Sequence, residues 1–118
     1  MQNFRRLDVW RKAQALTVSV YHTTGQFPGD ERYGLASQMR RAAVSVGANI
    51  AEGAARMSRN EFGHFLSIAI GSAAEVESHV ALATDLGFID HKTCTQLHAS
   101  TVEVRKMLIS LRTKVLAR

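Results

Sequence analysis

A chain of 118 residues, 46% hydrophobic and 21% charged, has the size of one domain with a single core and the composition of a globular protein. Its one cysteine, Cys94, excludes an internal disulfide and points to a reducing cytosol. The net charge of +5 permits contact with phosphates but also suits an ordinary solvated surface.

The opening MQNFRRLDVW lacks the apolar core of a signal sequence, and no uninterrupted apolar run approaches the ~18 residues of a membrane span. A cytoplasmic protein with no membrane contact is expected. Pro28 is the only proline and no stretch alternates as a strand would, so long helices are predicted. The first runs over about 9–24 behind Asp8 as N-cap, with Val9, Ala13, Leu16 and Val20 on one stripe. Gly25-Gln26-Phe27-Pro28-Gly29 is the main loop signal, and Phe27 is placed to plug the end of the core. The second helix, about 30–54, opens on Asp30 and Glu31, which suit the positive end of a helix dipole. Leu35, Met39, Ala42, Val46 and Gly53 line one face, and Gln38, Arg41, Ser45, Asn49 and Glu52 form a polar row beside it.

Ser58-Arg59-Asn60-Glu61 is a capping box that starts the third helix, about 59–86, with Met57 and Phe62 set for a hydrophobic staple. Phe62, Leu66, Ala69, Ala73, Val76, Val80 and Ala83 then follow the four-three spacing of a left-handed bundle. A second row, Gly63, Ser67, Gly71, Ala74 and Ser78, is small throughout and would admit a close neighbour. Gly87 ends the helix. The fourth, about 91–116, buries Leu97, Thr101, Val104, Leu108, Leu111 and Val115. Short connections force antiparallel neighbours, so an all-α, up-down-up-down, left-handed four-helix bundle over 1–118 is predicted. Residues 60–89 carry Glu61, Glu75, Glu77 and Asp85 and no Lys or Arg, so this acidic helix should meet basic ones, within a subunit or across two.

No catalytic arrangement stands out. His91, Cys94 and His98 fall on one side of the fourth helix, but structural zinc takes four ligands and no fourth is near in sequence. A di-iron bundle needs Glu-x-x-His on two helices, which is missing, and the glycines are dispersed rather than gathered into a phosphate loop. Arg40 and Arg41 lie about 100° apart on a helix and serve different tasks. Arg41 is expected in an ion pair with Glu52 or with the third helix, whereas Arg40 points elsewhere and is available to phosphate. Asn49 is expected to hydrogen-bond a neighbouring element.

Taken together, Phe4, Leu7, Val9, Trp10, Ala13, Phe27-Pro28, Tyr33-Gly34-Leu35, Gln38, Arg40-Arg41-Ala42 and above all Ser45 through Gly53 carry a resemblance. Arg56, Ser58, Glu61-Phe62, Phe65-Leu66, Ala69, Gly71-Ser72 and Glu75 extend it. The chain resembles the small four-helix-bundle proteins encoded in intervening sequences of bacterial 23S ribosomal RNA genes. The accessory variability protein of diversity-generating retroelements is similar. The resemblance implies a homo-oligomeric ring, a pentamer being the family's suggested form. It also implies a role in binding nucleic acid or an RNA-processing or reverse-transcribing partner. Arg41, Ser45, Asn49, Glu52 and Gly53 are the motif residues it marks as structural. Gly47 departs from the pattern, since many relatives carry proline there, and leaves a helix kink open.

Two functions of different class follow. One is a non-enzymatic RNA- or DNA-binding protein, with Arg5, Arg6, Arg11, Lys12, Arg40, Arg105, Lys106 and Arg112 as phosphate contacts. The other is a scaffold for a protein partner with no direct nucleic-acid binding. Neither calls for a catalytic residue, a metal or a cofactor.

Overall fold

The computed structural model describes residues 3–117. Its helices are α1 (Asp8–Thr24), α2 (Leu35–Ala54), α3 (Arg59–Asp85) and α4 (His91–Leu116), with short 3₁₀ turns at Phe4–Arg6 and Gly29–Glu31 and no strand among the described residues. They pack into a rod of 47 × 23 × 20 Å.

Cross-helix contacts give the direction of each helix. Thr17 Oγ1 donates to the Ala43 carbonyl at 3.1 Å, and Arg40 reaches Thr24. Gly63 abuts Leu116, Arg112 Nε donates to Ser67 Oγ at 2.7 Å, and Arg105 meets Glu77. Residue numbers fall on one helix as they rise on its neighbour, so α1 with α2 and α3 with α4 run antiparallel.

The core is the sum of the predicted stripes. Val9, Ala13, Leu16 and Val20 of α1 are buried, as are Phe62, Leu66, Ala69, Ala73, Val76, Val80 and Ala83 of α3. From α4, Leu97, Thr101, Val104 and Leu108 are buried while Leu111 and Val115 are half-buried. Phe27 is buried at the end of the bundle against Phe88, 5.4 Å between ring centroids. An 18-residue window of α3 reaches a mean hydropathy of 1.2, so this helix passes a compositional test for a membrane span that the search for uninterrupted apolar runs missed. Only 33% of that window is buried, and Ile68 and Leu82 within the helix are exposed apolar side chains off the core stripe.

Three local expectations are corrected. The second helix begins at Leu35 rather than Asp30, because the Glu31 carboxylate accepts the Leu35 N–H at 3.1 Å and caps the helix from outside. Gly34 makes room for that carboxylate, since a Cβ there would lie 2.8 Å from Glu31 Oε1. Leu7 rather than Asp8 occupies the cap position of α1. The staple does not form: Met57 is 87% exposed, although Ser58 Oγ does accept the Glu61 N–H at 3.1 Å. At the other end of α3, Gly87 takes φ +78°. Phe88 N–H donates to the Ala83 carbonyl and Gly87 N–H to that of Thr84, a Schellman closure.

Two glycines of α2 differ in what surrounds them. At Gly53 a Cβ would stand 2.8 Å from Phe65 Cβ and 2.9 Å from Phe62 Cδ1, whereas at Gly47 the nearest atom, Trp10 Nε1, is 3.7 Å away. Gly53→Ala is therefore expected to destabilise by roughly 1–3 kcal/mol through overpacking. Gly47→Ala should stabilise by roughly 0.5–1 kcal/mol, because the helix continues through it and glycine is the more disordered residue when unfolded. Urea midpoints of both variants check this, and a shift of the same sign in each would refute it.

Candidate nucleic-acid interface

The antiparallel course brings the starts of α1 and α3 and the ends of α2 and α4 to one end of the rod. Arg5, Arg6, Arg11 and Arg112 all belong there, joined by Arg56, Arg59 and Lys114. The carboxylates at this end are Asp8, Glu52 and Glu61. Asp8 pairs with Arg11, whose other guanidinium nitrogen donates to the Arg5 carbonyl at 2.8 Å. Glu52 pairs with Arg56 at 2.6 Å. Arg5 lies over the Phe4 ring, 4.9 Å from its centroid, and Phe4 packs edge-on against Trp10. Neither Arg5 nor Arg6 has a carboxylate at ion-pair distance among the described residues, and both are exposed.

The remaining candidates are placed differently. Lys12 pairs with Glu103 at 3.1 Å across α1 and α4, with both side chains about half-exposed. Arg105 is half-buried against Glu77 at 3.2 Å, so the acidic α3 does meet a basic helix within one subunit. Lys106 is exposed, one turn from Glu103. Arg40 sits at the opposite end of the rod, with Nε donating to Thr24 Oγ1 at 2.8 Å and Nη2 to the Tyr21 carbonyl at 3.3 Å. Its guanidinium also lies 4.6 Å from the Tyr21 ring centroid. A cation over the last turn of α1 opposes the negative end of that helix dipole. Arg40 thus ties α2 to α1 rather than pointing away from the bundle.

Of the motif residues, Ser45 and Gly53 meet α3 along a seam, while Asn49 bonds within α2 rather than to the neighbouring element expected of it. Asn49 Nδ2 donates to the Ser45 carbonyl at 2.8 Å and to Ser45 Oγ at 3.0 Å, and Ser45 Oγ shares a 2.9 Å hydrogen bond with buried Ser72. The expected pairing of Arg41 with Glu52 does not occur. Three turns, roughly 16 Å, separate them on one helix, and Glu52 meets Arg56 instead. Arg41 is exposed on a groove of about 400 Å³ that also holds His79 and Glu75, and it makes no ion pair with Glu75. Its other side borders a cleft of about 460 Å³ lined by Tyr21, Arg32, Tyr33 and Arg40. Sequence reasoning did not single out Arg32, Tyr21 or Tyr33 as functional, although an Arg-Tyr pair beside a glycine in a turn was the available signal.

A cleft of about 570 Å³ separates the end of α1 from the turn into α4 and is lined by hydroxyls and amides with His22, Asp90 and the apolar Phe88, Ile89 and Leu97. Asp90 caps α4, accepting the Thr93 N–H at 2.8 Å. Hydrogen bonds from the Thr93 backbone and side chain, with Lys92 adding a favourable charge, hold its carboxyl below the ordinary value. The cap is therefore strongest with Asp90 ionised and weakens as pH falls through that lowered value. No group of three His, Cys, Asp or Glu side chains among the described residues could hold a metal ion, so His91, Cys94 and His98 do not form a ligand set.

Arg40→Ala is expected to lower stability by about 1–2 kcal/mol, since it strips buried Thr24 of a partner and removes the contact with Tyr21. Chemical denaturation checks this, and an unchanged midpoint would remove Arg40 from the α1–α2 junction.

The pattern of the family described as 23S rRNA-intervening sequence protein matches residues 5–110. No curated protein matches the chain. Among solved structures, the fold is similar to a Bacteroides thetaiotaomicron protein described as of unknown function and from the S23 ribosomal protein family. The two superpose with a TM-score of 0.83 at 25% identity, over 89% of this chain and 95% of that one. With α1, the α2–α3 seam and α4 as far as residue 110 inside the matched span, the chain belongs to the 23S rRNA-intervening sequence protein family.

Proposed function

We propose that this protein is a non-enzymatic, self-associating bundle of the cytosol that binds RNA or DNA through the phosphate backbone. The observation that carries the reading is the end of the rod where α1 starts and α4 ends. Arg5 and Arg6 are exposed there without carboxylate partners among the described residues, in a setting where Arg and Lys outnumber Asp and Glu. Such cations neutralise phosphates and release counterions, which supplies affinity with little sequence preference. Lys12, Lys106 and Arg112 extend the surface along α1 and α4, Lys12 by exchanging Glu103 for phosphate. Arg105 and Arg40 are already engaged and take no part. No cofactor or membrane enters this reading.

Fluorescence anisotropy of labelled RNA and DNA at several salt concentrations tests it. The logarithm of the binding constant should fall linearly with the logarithm of salt. Replacing Arg5 and Arg6 together with alanine should reduce the slope by about 2. Absence of binding at low salt would overturn the proposal.

The alternative, a scaffold for protein contacts, is favoured by a different surface. Ile68, Glu75 and Leu82 stand seven apart on the outer face of α3, with Leu86 one turn beyond, and all are exposed. Apolar side chains around a carboxylate suit contact with a basic, apolar surface of a second copy, and a head-to-tail contact closes as a ring when its rotation permits. The pentameric ring suggested for the family is one such closure. Glu75→Lys should then shift sedimentation velocity toward smaller species, and an unchanged profile would exclude this face from assembly.

A further inference from the structure

We propose that the cleft between the last turns of α1 and the turn entering α2 stacks an unpaired base of a single-stranded nucleic acid. The proposal rests on the nucleic-acid reading but concerns a site at the other end of the rod from Arg5 and Arg6. Tyr33 is 88% exposed in the turn ahead of α2, with the Arg32 guanidinium 5.6 Å from its ring centroid. A ring so exposed adds almost nothing to the core. Tyr21, 45% exposed, forms another wall, with Arg40 stacked on it and anchored through Thr24. The cleft of about 460 Å³ between them has Arg41 on its border and no carboxylate in its lining. Of the two carboxylates of the turn, Asp30 and Glu31, neither lines the cleft, and Glu31 accepts the Leu35 N–H.

These parts divide the recognition of a nucleotide between them. The aromatic faces accept a base without regard to its identity, as single-strand-binding surfaces do. Arg32 and Arg41 carry no carboxylate partner at ion-pair distance among the described residues and are set to meet the flanking phosphates. Arg40 fixes the Tyr21 ring in place, so little side-chain freedom remains to be lost on binding. A duplex hides its bases in the stack and would gain nothing from the tyrosines.

The test uses the full chain and four fluorescein-labelled probes of equal phosphate number: oligo(U), oligo(dU), an abasic oligonucleotide and a duplex. One of the two single strands, or both, should bind roughly five-fold or more tightly than the abasic strand and the duplex, and the tighter identifies RNA or DNA as the source. Tyr33→Ala should abolish that preference without changing the salt slope, whereas Tyr33→Phe should retain it. The exposure of Tyr33 keeps either variant folded, which circular dichroism verifies. Equal binding of all four probes, or an unaltered preference in Tyr33→Ala, would overturn the stacking site alone and leave the phosphate reading standing. Absence of binding to any probe would overturn both.

Discussion

The close approach of α2 and α3 is the constraint on which the rest of the structure depends. Gly53 leaves space for Phe62 and Phe65, where any Cβ would collide with both. Further along the same seam Ala42, Ala43, Ala69 and Ala73 are buried. At that separation the short side chains of Ser45 and Ser72 reach each other, and Asn49 satisfies the remaining polar groups from within α2. A polar chain in this position contributes register more than energy. Slip of either helix by a turn would break the Ser45–Ser72 bond and leave the buried Ser72 hydroxyl without its partner, a cost of about 1–3 kcal/mol, while the Asn49 bonds lie within α2 and move with it. The seam thus holds α2 and α3 in one alignment, and α1 and α4 pack against that pair from outside.

This arrangement explains which features the sequence made legible. The α3 stripe at four-three spacing, the Ser58 cap and the Gly87 stop depend on residues within a few positions of one another, and all appear as read. The small row of α3 pointed to a close neighbour, and α4 supplies it, with Leu116 against Gly63 and Arg112 on Ser67. What the sequence concealed depends on contacts between distant segments. Arg40 could not be recognised as a junction residue because its acceptors, Thr24 Oγ1 and the Tyr21 carbonyl, lie across a turn whose geometry the sequence leaves open. Arg41 misled in the opposite sense. Membership in a polar row suggested a pair with Glu52, but a row three turns long does not bring its ends together, and Arg56 is the closer partner. The start of α2 was misjudged because an acidic residue favours a helix N-terminus both inside the first turn and just before it, and Glu31 acts from before.

The arginines sort by what they meet rather than by where they stand in the chain. Arg40 closes α1 onto α2, Arg105 meets Glu77 in a half-buried pair, and Arg59 donates to the Ala117 carbonyl to hold the start of α3 to the end of α4. Removing such residues would weaken the bundle before it revealed anything about ligands. Arg5, Arg6, Arg32 and Arg41 lack carboxylate partners among the described residues, and their guanidinium groups retain donors for an external acceptor. Charge alone would have treated the two sets as equivalent.

The unpaired arginines lie in two groups toward opposite ends of a rod 47 Å long. That separation matters to affinity. A site with a handful of phosphate contacts binds weakly at physiological salt, because each neutralised phosphate contributes little once counterions are abundant. Two such sites on one rigid body act together only on a strand long enough to reach both, and the second contact then forms at the effective concentration set by the intervening nucleotides. A rigid helical frame is suited to this, since α1 fixes the distance between Arg11 near its start and Tyr21 near its end at roughly 15 Å. Self-association through the outer face of α3 would multiply both groups; Ile68 and Leu82 lie away from Arg5, Arg6 and Tyr33 in the chain, while Glu75 shares a groove with Arg41 and brings the contact up to that arginine. In the proposed reading, assembly would add copies of weak sites, and nucleic-acid binding would draw its strength from their number.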